Sequence, residues 1–107
     1  MSKVDIFAKL KRKCEVRDLI FNDDIYYDEI EDAIKAVNER RGFTPKDGIE
    51  YEEKYSNLIC KMALYSLTKM GAEGETSHQE NGINRVYQSA NDYPDDLLNE
   101  ITPLIKA

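Results

Sequence analysis

The run LICKMALYSL, residues 58–67, limits the fold more than any other stretch. Placed on a helix of 3.6 residues per turn, it is apolar on nearly every side and is broken only at Lys61 and Ser66. A helix that is apolar all round has to be covered from several directions. In a chain of 107 residues, it is expected to be the central element of a small three- to four-helix domain, or to meet another subunit with part of its surface. The spacing predicts a helix over about 50–70, with Tyr51, Tyr55, Leu58, Ile59 and Met62 as its stripe and Gly71 as its stop.

Two helices are predicted before it. In the first, over about 3–14, Val4, Phe7, Ala8, Leu10 and Cys14 recur at roughly helical spacing, with Ser2 as cap and Asp5 as its capping-box partner. VRDLIF follows as a linker or short turn that tucks apolar residues inward. The second begins at Asn22, Asp23 or Asp24, all good N-caps. Its stripe is Tyr26, Ile30, Ala33, Ile34 and Val37; Arg40 and Arg41 load the last turn, and Gly42 suits the left-handed stop. FTPKDG reads as a turn punctuated by Pro45 and Gly48. At the far end Pro94 suits the first position of a helix whose stripe is Leu97, Leu98, Ile101, Leu104 and Ile105, with Pro103 stopping it near Ile101.

Between the last two helices the apolar period disappears. GAEGETSHQENGINRVYQSANDYP carries glycines at 71, 74 and 82. Asn81-Gly82 is a strong two-residue hairpin signal, because a type I′ turn needs positive φ at both positions. INRVY alternates well as a strand, but TSHQE has no apolar face, and a lone two-stranded hairpin is marginal in water. The segment, about 71–93, is therefore read as a long glycine-rich loop or β-hairpin that folds onto the helices or is ordered from outside the subunit. The expectation is all-α, one domain over 1–107.

Composition narrows the function classes. The chain is 41% hydrophobic and 34% charged, with net charge -6 and a pI of about 4.8, which disfavours a clamp that grips DNA phosphates. The charge is uneven. Residues 1–20 hold six Lys/Arg against three Asp/Glu, and residues 21–39 hold seven Asp/Glu against one Lys. That asymmetry could orient subunits or partners head to tail, or could be two solvated helix faces.

Cys14 and Cys60 form no CxxC pattern and read as reduced thiols. The N-terminus MSKVDIFAKLKRK has no leader-like apolar region, no run is long enough to span a bilayer, and no sequon occurs, so a soluble intracellular protein is expected. No enzyme, metal or cofactor is expected. The one histidine, His78, sits beside Ser77 and near Glu75 and Glu80 in a loop that gives a triad no rigid scaffold. One His and two distant Cys cannot make a zinc site. Asp24, Asp28, Glu31 and Asp32 form an acidic helix face, for which a metal role is the lesser reading. Tyr27, Tyr87 and Tyr93 lie off the apolar stripes and read as interface or helix-edge tyrosines.

Residues 71–103 also resemble the small head–tail connector (adaptor, or head-completion) proteins of tailed bacteriophages of Gram-positive hosts. The matching pieces are Tyr51-Glu52 opening the apolar helix, then Glu73, Gly74, Ser77, Glu80, Gly82, Ile83 and Tyr87 in the loop, then Pro94, Leu97, Leu98, Ile101 and Pro103 in the tail. The first half matches by helix pattern alone. The resemblance implies a structural virion protein without catalysis or cofactor, made in the bacterial host cytoplasm. It would form a ring, twelve copies by the portal's symmetry, that docks on the portal vertex and joins the DNA-filled head to the tail. Its partners would be other copies of itself, the portal protein and a tail-side stopper or completion protein. DNA would pass through the channel without specific binding, and no membrane is involved. The implied assembly loop, for subunit or portal contacts, is Glu73, Gly74, Glu75, Ser77, Glu80, Asn81, Gly82, Ile83, Arg85 and Tyr87. The alternative is a small helical binding or regulatory module, acting as a monomer or a dimer with residues 58–67 as its seam.

Overall fold

A computed structural model of the chain describes residues 1–72 and 93–104. The described part is helical: α1 (Lys3–Val16), α2 (Asp23–Arg41), a 3-10 turn (Glu53–Tyr55), α3 (Ser56–Ala72) and a single-turn α4 (Asp95–Leu98). The first three helices pack against one another as a triangle, and α4 lies on α3. The central place expected for the apolar helix is found: Leu58, Ile59, Cys60, Met62, Ala63 and Leu67 are all buried within the one chain.

Local chemistry sets the helix ends. Ser2 and Asp5 form the expected capping box at α1. At the other end of α1 the Leu19 N–H donates to Cys14 O at 2.8 Å and the Asp18 N–H to Glu15 O at 3.1 Å. This is a Schellman stop in which Asp18, at φ 59°, occupies the left-handed place usually held by glycine. Asn22 occupies the N-cap of α2, and Gly42 closes that helix at φ 82°. The buried Tyr26 hydroxyl secures the α1–α2 turn by donating to Leu19 O and accepting from the Phe21 N–H, both at 3.2 Å.

Five expectations are corrected. The buried face of α1 is Ile6, Leu10 and Cys14, and Val4 is 64% exposed. The i, i+4, i+8 row through Ile6 lies on the opposite side of the helix from Val4, and it is the row that faces α2 and α3. In the α1–α2 connection Leu19 and Phe21 pack on the core, but Val16 and Ile20 point to solvent. The third helix starts at Ser56 rather than near Glu50, because residues 46–52 go into a turn and an extended arm. Gly71 lies inside α3 and does not end it. Pro94 is the N-cap of α4, not its first residue, and the helix stops at Leu98, before Ile101, which is still buried.

The FTPKDG turn is a type I′ hairpin turn, with Asp47 at φ 51° and Gly48 at φ 80°. Lys46 and Ile49 exchange both backbone hydrogen bonds across it, at 3.1 and 2.9 Å. Among the described residues there is no strand. The hairpin read at Asn81-Gly82 lies outside them.

Candidate interaction surfaces

All ten assembly-loop residues, Glu73, Gly74, Glu75, Ser77, Glu80, Asn81, Gly82, Ile83, Arg85 and Tyr87, lie outside the described residues, as does His78. What the fold places is the two points from which that segment departs and returns. On the departing side, Gly71 lies against Leu19 so closely that an added Cβ would fall well inside van der Waals contact with Leu19 Cδ2. On the returning side Tyr93 is 4% exposed, a core residue rather than an interface or helix-edge tyrosine, and Leu97, Leu98 and Ile101 join the same core. Tyr27 is half-buried and stacks on Phe7 with ring centroids 4.5 Å apart and planes 2° from parallel.

The returning strand of chain is clasped by the C-terminal turn of α2. Arg41 makes two bonds to Glu52, Nε–Oε1 at 2.7 Å and Nη2–Oε2 at 3.3 Å, and donates a third to Thr102 O at 2.6 Å. Its guanidinium lies 5.7 Å from the centre of the Tyr55 ring. The Tyr55 hydroxyl accepts from the Thr102 N–H at 3.2 Å, and the Leu104 N–H donates to Arg41 O at 2.8 Å. Arg40 adds a bond from Nε to Leu98 O at 3.0 Å. The Glu52 bond holds Arg41 still more firmly protonated than a free arginine. The sequence pattern assigns Arg41 only a dipole-complementing role, yet it stands four residues after Val37, where the buried stripe of α2 continues. That spacing was the available signal.

On the other side of α2 an open cleft of about 520 Å³ lies between the helix and the 43–50 arm. Ile34, Phe43 and Pro45 give it an apolar floor, and Glu31, Glu39 and Glu50 stand round it with Lys3 and Lys35. Lys3 bridges Glu31 and Glu50 at 3.3 and 3.2 Å. Burial opposes its charge, but the two carboxylate bonds outweigh that and raise its pKa. Asn38 Nδ2 fixes the arm by donating to Glu50 O at 2.8 Å.

Part of the charge asymmetry is used inside the subunit, since Lys11 meets Asp23 at 3.3 Å and Lys9 donates to Asn57 at 2.9 Å. Both cysteines are free thiols, buried on facing helices. Burial pushes the Cys14 thiol up to about 11 and raises that of Cys60 as well. Among the described residues no group of three His, Cys, Asp or Glu side chains is arranged to hold a metal ion, and no helix is long and apolar enough to cross a membrane. Comparison with known proteins finds no matching family, no matching curated protein and no matching solved structure.

Proposed function

We propose that the chain is a structural subunit of a bacteriophage head–tail connector. In this reading it forms a ring on the portal vertex, twelve copies in the virion, and carries the DNA channel from the head towards a tail-side completion protein. It has no catalytic role. The reading rests on the resemblance carried by residues 71–103.

One observation about the fold supports it. The chain leaves α3 beside Leu19, at the α1–α2 turn, and by Leu98 and Thr102 it is bonded to Arg40, Arg41 and Tyr55 at the opposite end of the bundle. The return path is about the length of α3, whose 17 residues rise roughly 25 Å at 1.5 Å each. The twenty residues from 73 to 92 reach roughly 65 Å when extended. The connection therefore has more than twice the chain it needs, while residues 1–72 and 93–104 already close a core among themselves. Chain beyond what closure requires is available for contacts outside the subunit.

Deleting residues 73–87 tests this. The shortened protein should keep its helical circular dichroism and lose portal attachment, so that filled heads remain without tails. Infectious particles completed by the deletion variant would refute the role given to this segment.

A further inference from the structure

The two charged regions of the sequence stand on opposite sides of the folded subunit. On α1, Lys9, Arg12 and Lys13 gather beside Cys60 of α3, where all three lower that thiol's pKa against the effect of burial. Lys9 is bonded to Asn57, while Lys61, one helical turn after Asn57, pairs with Glu100 at 3.9 Å, so the basic character of this side comes from α1. Arg12, Lys13 and Lys61 are exposed. On α2 the buried stripe through Tyr26, Ile30, Val37 and Arg41 faces inward. Half a turn away lie Asp24, Asp28, Glu31, Asp32 and Glu39, interrupted by Lys35 and met at Glu31 by Lys3 of α1. Asp24, Glu31 and Glu39 are exposed there, and the open cleft begins at Glu31 and Glu39. In a triangle of helices the outward side of one helix points away from the groove between the other two. The basic face and the acidic face are thus opposed across the bundle.

We propose that these two faces are the halves of a head-to-tail contact between copies of this chain. The basic ridge of one subunit, Arg12 and Lys13 foremost, seats on the acidic outer face of α2 and the adjoining cleft of the next. Complementary charge on opposite faces of one body generates a heterologous contact that repeats from subunit to subunit. A two-fold dimer, by contrast, would use one patch twice. The inference deepens the ring reading by naming its faces, and it is separable from it: portal attachment can fail while this contact holds.

The test uses the full chain, half of it isotopically labelled, with zero-length carbodiimide coupling followed by mass spectrometry. Mixed-label amide links should join Lys9 or Lys13 of one copy to Asp24 or Glu39 of another. Their yield should fall about tenfold when salt shortens the screening length from about 30 Å to about 3 Å. Sedimentation then compares Arg12→Glu with Lys13→Glu, Asp24→Lys with Glu39→Lys, and the chain carrying all four. Each pair alone should abolish self-association, and the four together should restore it. Absence of mixed-label links in the unaltered chain overturns the proposal. So does self-association that survives either pair, or a helical four-fold variant that does not regain it. Loss of portal binding with self-association intact in the Arg12→Glu, Lys13→Glu chain would assign the basic ridge to the portal instead, and equally overturn it.

Discussion

Gly71 provides a test of how the segment 73–92 is rooted. It is a helical glycine in the last turn of α3, so Gly71→Ala should by propensity alone stabilise the protein by up to ~1 kcal/mol. The new methyl, however, would stand 3.9 Å from Leu19 Cγ and far inside contact with Leu19 Cδ2. Leu19 belongs to the turn fixed by the Tyr26 hydroxyl, so it has limited room to retreat, and overpacking of this kind costs about 1–3 kcal/mol. The two effects oppose each other. Gly71→Ala should be neutral or destabilising by up to ~2 kcal/mol in the native background, and stabilising by about 0.5–1 kcal/mol where Leu19→Ala has removed the obstacle. The coupling between the sites is then about 1–3 kcal/mol. Urea unfolding followed by helical circular dichroism, at constant slope, measures all four corners of the cycle. Equal stabilisation by Gly71→Ala in both backgrounds, within about 0.5 kcal/mol, would refute the packing of Leu19 on Gly71.

Four other outcomes are expected. Gly48→Ala should cost about 1–2 kcal/mol in denaturant unfolding, because its φ of 80° is left-handed and nothing else lies within 4 Å of the new methyl; Asp18→Gly, at φ 59°, should gain up to ~1 kcal/mol. Replacing Arg41 by Lys removes the forked bond to Glu52, so amide exchange at Thr102 and Leu104 should speed up about tenfold or more while the Ile30 amide is unaffected. Alkaline pH should destabilise the fold: the buried Cys14 thiol titrates near 11 when folded and about two units lower when unfolded. Its stability is fully present below about pH 9 and is lost as pH rises through 11; the melting temperature should fall over that window, and less steeply in Cys14→Ala.

The sequence was most legible where one physical signal acted alone. In α2 the 3.6-residue stripe, the Asn22-Asp23-Asp24 start and the Gly42 stop all agree, and the structure begins the helix after Asn22, whose side chain makes no capping bond, and closes it at Gly42. The structure departs from the sequence pattern where two signals compete. Val4 and Ile6 are both apolar and sit on opposite sides of α1, and only the position of the other helices decides between them. Tyr93 follows a polar stretch and looks like a surface residue, yet it is buried, because the chain must fold back onto the core before α4. Asp47-Gly48 carries the same turn signal as Asn81-Gly82, but without flanking strand patterns it reads only as a turn. Arg41 was hidden by its charge, since a buried arginine becomes evident only when Glu52 and Thr102, remote in sequence, are brought to it. The assembly-loop reading from Glu73 to Tyr87 draws on motif alone.

The central claim is that this chain is a ring subunit docked on a portal. The most direct measurement is native mass spectrometry of the purified chain mixed with the portal ring of the same phage. The account predicts a complex with twelve copies of the chain on the twelve-fold portal, absent from the chain lacking residues 73–87. A folded chain that leaves the portal bare at every concentration, and remains a closed dimer by itself, would contradict it.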